Sequence, residues 1–238
     1  MTSTGESPPP SASLPSAAGA RPLFDWLFGL SIAGVVGAVV RIVAFTPFEA
    51  TQGAAQKIYY IHVPAAMSAY LALIVGALTS IAYLWLHDDR ADKLAESAGE
   101  VALLFTSAVL ITGPLWGKPI WGVWWTWDAR LTLTLFLWFL TVAYLVLRGA
   151  VDDPDMRARY SAVLAVLAAL LIPFIHLSVY LFRTLHPMPI VLKPDRPSLP
   201  SEMLTTFVFA TLAFLFFCVT LIRARFRLAV RREQAGVL

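Results

Sequence analysis

The 238-residue chain is 58% hydrophobic and only 14% charged, with a mean hydropathy of +0.72. No soluble domain of this size needs that much apolar surface, so the composition implies an all-α polytopic membrane protein. The net charge of +3 sits mostly at the ends of apolar segments and in the C-terminal tail, which speaks to orientation and not to a nucleic-acid partner. The single cysteine, Cys218, lies deep in the last apolar run and reads as a small core residue. It excludes an internal disulfide, a CxxCH haem-attachment site and a thiolate metal cluster. No GxxxxGK[ST] occurs, so any use of ATP belongs to a partner.

Residues 1–22 are rich in Ser, Pro, Gly and Ala and read as a disordered tail without the basic start of a signal peptide. Residues 23–222 form the membrane domain, with six apolar runs at about 24–45, 62–86, 98–115, 130–148, 160–182 and 203–222. Arg41 comes late in the first, where it can snorkel to the interface. Pro64, Pro114 and Pro173 fall near helix ends or inside helices and are candidates for kinks. Residues 223–238 form a basic tail. The connections 87–97 and 149–159 read as short charged loops, whereas 46–61, 116–129 and 183–202 are richer in aromatics, prolines and histidine. Arg41, Lys57, Lys118, Arg130, Arg183, Lys193 and Arg196 fall on the aromatic side, and the other eleven of the eighteen Lys and Arg fall on the opposite side. The positive-inside rule then puts both termini in the cytoplasm and the aromatic connections outside, in the periplasm of a bacterium.

Residues 116–130, WGKPIWGVWWTWDAR, hold five of the eight tryptophans. Trp121, Trp124 and Trp125 are spaced i, i+3, i+4, and Asp128 continues the pattern at i+7. On a helix, three indoles and a carboxylate would share one face. That surface suits a large, flat, amphipathic ligand. A tryptophan belt at the membrane boundary is the plainer alternative, but a belt does not need so many indoles in one segment. Asp128 is read either as the cap of the fourth helix or as a ligand contact.

The four histidines sort by position. His62 opens the second span and His186 follows the fifth, both at the outer level of the tryptophan segment. His176, ten residues before His186, is expected about 15 Å deeper if the helix continues, with no histidine partner at its depth. An intramembrane haem on His176 is the minor reading. His87 heads a charged connection and reads as solvated. Two imidazoles on opposite sides of a planar macrocycle make a six-coordinate haem iron, and indoles would carry the macrocycle. The propionates need cations, for which Lys118, Arg130, Arg183, Lys193 and Arg196 are available. Six-coordination leaves no open position for oxygen chemistry, so holding or passing haem is expected, with no enzymatic activity.

The run WGKPIWGVWWTWDARLT closely resembles the tryptophan-rich WWD signature of haem-handling proteins in cytochrome c maturation. With YIHVPAA before it and TLH after it, the chain resembles the CcmC family, the smallest bacterial members, over about residues 24–222. The resemblance implies six transmembrane helices with a periplasmic WWD segment. It implies haem b bound transiently as cargo, with His62 and His186 as metal ligands. The family signature falls on Trp116, Gly117, Trp121, Gly122, Trp124, Trp125, Trp127, Asp128 and Arg130, and Arg183 is added as a candidate cofactor-binding residue. The implied function is delivery of haem at the periplasmic face of the inner membrane to the chaperone CcmE, beside CcmD and the ABC-type pair CcmA and CcmB. The alternative is a haem-translocating membrane subunit of an ABC-type exporter. It predicts an ionisable path through the spans, which, apart from His176, are nearly free of such groups.

Overall fold

The computed structural model describes residues 22–182, 184–191, 193 and 195–235. The expected N-terminal tail, but for Pro22, and Arg183 lie outside the described residues. Six helices carry the fold: α1 (Trp26–Val40), α2 (Tyr59–Leu86), α3 (Asp89–Trp121), α4 (Ala129–Ala150), α5 (Pro154–Leu181) and α6 (Ser201–Gln234). A π-helical turn, Arg41–Phe45, extends α1, and a 3₁₀ turn, Ala54–Ile58, leads into α2. All six are long and apolar enough to cross a membrane, and the chain is a multi-pass membrane protein.

The pair α2 and α3 forms the centre of the bundle, and small residues let their backbones approach. Ala65, Ala69, Ala72 and Gly76 of α2 meet Ala95, Ala98 and Ala102 of α3, and all four α2 positions are buried. In a membrane, where lipid is as apolar as leucine, close van der Waals packing of this kind replaces the hydrophobic drive. Helices α5 and α6 pack on α2 from two sides, α4 on α3 and α5, and α1 on α6. Cys218 is fully buried in this core, as its surroundings in the sequence suggest.

The helices outrun the apolar runs. The connections 87–97 and 149–159, expected as loops, consist largely of the first turns of α3 and α5, and the basic tail continues α6 to Gln234. Hydropathy marks the part of a helix that meets lipid, whereas caps and ion pairs decide where it ends. Asp88 accepts from the Arg90 N–H at 2.8 Å and Asp153 from the Met156 N–H at 2.8 Å. Beyond the apolar zone, Arg148 binds Asp92 through two hydrogen bonds and reaches Glu96. Arg225 pairs with Glu100, Arg223 and Arg227 with Asp25, and Lys93 with Glu233. Among the described residues every ion pair lies at this end of the bundle. The described cations of the other end have no ion-pair partner among the described residues.

Candidate functional site

The opposite end gathers the C-termini of α3 and α5, the N-termini of α2, α4 and α6, and the segments between them. Helix α3 stops at Trp121 because Gly122 adopts φ +76°, a left-handed turn open to glycine at little cost. The Gly122 N–H closes the helix on the Lys118 carbonyl at 3.0 Å, and Lys118 Nζ donates back to the Gly122 carbonyl at 2.8 Å. Residues 122–128 are not helical. The single helical face expected for Trp121, Trp124, Trp125 and Asp128 is therefore corrected: the indoles converge by a turn, not by helical period. Asp128 caps α4, accepting from the Leu131 N–H at 3.0 Å and from the Thr126 hydroxyl at 3.4 Å. Of its two readings the cap is the one its contacts satisfy.

The turn folds the tryptophans over a cleft with about 770 Å³ of free space, part of it open to solvent. His62, Trp116, Trp121, Trp124, Trp125, Arg130 and His186 all line it. Helices α2 and α3, the turn, α4 and the segment after α5 each contribute. His62 packs its ring 5.9 Å from that of Trp116, and His186 lies 6.5 Å from Trp121. The walls are mostly apolar, with a few convergent polar groups, as sites for organic ligands are.

Both histidines are fixed in the same tautomer. Thr112 spends its hydroxyl proton on the Ala108 carbonyl of its own helix at 2.7 Å. Its oxygen, 2.9 Å from His62 Nδ1, is left to accept, so the proton sits on Nδ1. His186 Nδ1 lies 2.9 Å from the Pro187 carbonyl, which can only accept. In each ring Nε2 keeps its lone pair. A hydrogen bond from one imidazole nitrogen is what orients the other toward a metal and raises its basicity. Burial first, and then the Arg130 guanidinium, push the His186 pKa down to about 3, so this half-buried ring is neutral at physiological pH. Among the described residues no group of three or more His, Cys, Asp or Glu could hold a bare metal ion. Two neutral imidazoles in an aromatic cleft suit a metal that arrives in its own planar ligand.

Two donors in this cleft lack partners among the described residues. Arg130 Nη1 and Trp125 Nε1 are buried, and neither has a hydrogen-bond acceptor. Leaving such groups unpaired costs about 1–3 kcal/mol each, more for a charge, and a carboxylate on a ligand would satisfy them. Of the described candidate cations only Arg130 lines the cleft. Lys118 is held at the Gly122 carbonyl, Lys193 donates to Ser198 at 2.6 Å, and Arg196 is exposed away from the cleft. Gly117 leaves space for the Trp121 ring, since a Cβ there would come within 2.9 Å of it. Trp127 stands outside the cleft, 75% exposed, with its ring 5.7 Å from that of Trp125.

Sequence reasoning missed Thr112, Gly113 and Tyr70. Gly113 lines the cleft, and a Cβ there would touch His62 Cε1 at 3.4 Å. Gly113-Pro114 was legible only as a kink. His87 ends α2 in an exposed left-handed turn, φ 52°. His176 is less deep than expected: α5 ends at Leu181, so it sits about 7–8 Å inside the helix end. The 15 Å figure assumed a helix running on to His186. A second cleft, with about 1,000 Å³ of free space, is lined by both His176 and His186 and shares Tyr70, Trp116 and Arg130 with the first.

In sequence, known proteins match almost the whole chain. The family model described as CcmC, heme exporter protein C, matches residues 12–237. Heme exporter protein C of Haemophilus influenzae is 34% identical over 217 residues, covering 90% of this chain and 86% of that protein. The Bradyrhizobium diazoefficiens protein of the same name is 38% identical over 199 residues, covering 82% of this chain and 74% of its own length. That of Escherichia coli K12 is 38% identical over 163 residues, covering 66% of this chain and 65% of that protein. Matched from the first span through the last, this chain belongs to the heme exporter protein C family.

Proposed function

We propose that the chain binds haem b at the periplasmic face of the bacterial inner membrane and delivers it to the haem chaperone CcmE during cytochrome c maturation. It does so beside CcmD and the ABC-type subunits CcmA and CcmB. One observation carries the reading: His62 and His186 line a single tryptophan-walled cleft, each with Nδ1 tied down and, among the described residues, no hydrogen bond at Nε2. The name these relatives share, heme exporter protein C, supports haem as the ligand.

The residues divide the task simply. His62 and His186 would hold the iron through their Nε2 atoms, Trp121, Trp124 and Trp125 would cover the macrocycle, and Arg130 and the Trp125 N–H would meet a propionate. With both histidines on the iron no position would remain for oxygen chemistry, so the chain would carry haem and perform no reaction of its own. Trp124 is 57% exposed, which leaves one edge of the cleft open to a partner. With the excess of Lys and Arg at the far end, the positive-inside rule puts that open edge in the periplasm and both termini in the cytoplasm.

The test is the absorption spectrum of haem-loaded protein, wild type beside His62→Ala and His186→Ala. Wild type gives a low-spin six-coordinate spectrum, and each variant loses it together with loading of the chaperone. Unchanged spectra in both variants would move the site elsewhere.

A further inference from the structure

Helices α5 and α6 both pack on α2, yet among the described residues they make no extended contact with each other. The second cleft occupies that gap. Its floor is Val63 and Met67 of α2, its sides include His176 of α5 and Phe207 of α6, and Met188 to Val191 roof it. The roof is tied back by the Ser198 N–H on the Ile190 carbonyl at 2.8 Å. Away from α2, the gap lies between two helices that are both long and apolar enough to cross a membrane. On its inner side it meets the first cleft across Tyr70, Trp116, Arg130 and His186.

A simple packing defect would be lined by aliphatic side chains alone. This one holds an imidazole, His176, that the first cleft lacks, and it shares the guanidinium whose Nη1 has no partner. A planar, apolar molecule with an iron centre and an acidic edge matches that lining. It can slide from the bilayer toward His62 with its acidic edge held at Arg130 throughout.

Resting on the haem reading above, we propose that the α5–α6 gap is a lateral gateway between the bilayer and the histidine cleft, with His176 as a transient iron ligand. In transit His176 would displace a water from the iron, and His62 would then displace His176. Each step would exchange one neutral donor for another, with no electron transferred and no proton released.

The experiment uses the full chain in lipid nanodiscs, with haemin offered from lipid vesicles and loading followed by stopped-flow absorption. Met67 lines only the second cleft. Met67→Trp fills the gap and should slow loading on the order of tenfold or more, about 1.4 kcal/mol of barrier. Met67→Leu, which keeps the volume and removes the thioether, loads at the wild-type rate. His176→Gly slows loading to a similar degree, and added imidazole restores it. This variant carries the test if Met67→Trp misfolds. All three reach the wild-type final spectrum. Wild-type rates in both Met67→Trp and His176→Gly would overturn the gateway and leave the gap to a lipid chain or a partner helix. A final spectrum indifferent to His62 and His186 would instead overturn the haem reading.

Discussion

Thr112→Val isolates the hydrogen bond behind His62. The substitution keeps the shape of the side chain and removes the oxygen that lies 2.9 Å from His62 Nδ1. His62 is only 9% exposed, so water cannot readily replace the lost acceptor. A buried donor left unpaired costs about 1–3 kcal/mol. Loss of a partner behind a metal-ligating histidine typically weakens metal binding by about 10–100-fold. At about 1.4 kcal/mol per tenfold, the two figures overlap near 1.4–2.7 kcal/mol. Haem should therefore leave Thr112→Val about 10–100 times faster than wild type. The assay is capture of released haem by excess apomyoglobin, read from the absorption change. Thr112→Ser retains the acceptor and should release haem within a few-fold of wild type. Equal rates for Thr112→Val and wild type would refute the tautomer argument, as would a serine variant as fast as the valine one.

Other expectations follow from the same geometry. Gly113→Ala places its Cβ 3.4 Å from His62 Cε1, an ordinary contact, and should leave haem affinity nearly unchanged; Gly113→Leu should abolish binding while thermal unfolding stays cooperative. Equal affinity in the leucine variant would place the haem elsewhere. Arg148→Leu removes the partner of Asp92 and Glu96, carboxylates that are 17% and 38% exposed and regain water, and should destabilise the fold by about 1–3 kcal/mol without shifting the haem spectrum. A loss of thermal stability smaller than a few degrees would count against it. His186, with its pKa pushed down to about 3, favours the folded state most above the ordinary histidine value of about 6.5, and this contribution declines as pH falls toward 3. Nitrogen NMR of the haem-free protein should accordingly show a neutral Nδ1–H ring at pH 5. An imidazolium signal there would contradict the burial.

The membrane class, the six spans and the level of the tryptophan segment were legible in the sequence. Each is a local property, written in runs of apolar residues and in the flanking charges. His62 and His186 could be placed at the level of the tryptophan segment because each adjoins the end of an apolar run. Asp128 could be read as a cap because a cap involves only its own next turn. Local reasoning failed where a helix end was set by a backbone angle or by distant charges. Gly122 ended α3 inside the tryptophan run, and ion pairs such as Arg148 with Asp92 accompany helices that continue beyond the lipid zone.

What only the tertiary structure decided were relations between residues far apart in the chain. Thr112 fixes the tautomer of His62 from fifty positions away. Arg130 alone of the described candidate cations reaches the cleft, because it rides the first turn of α4 under the tryptophans while Lys118 and Lys193 are held by their own neighbours. The gap beside His176 exists because α5 and α6 both prefer α2 to each other. No periodicity records such choices, since side-chain packing between helices, and not the order of residues along any one of them, selects which faces meet.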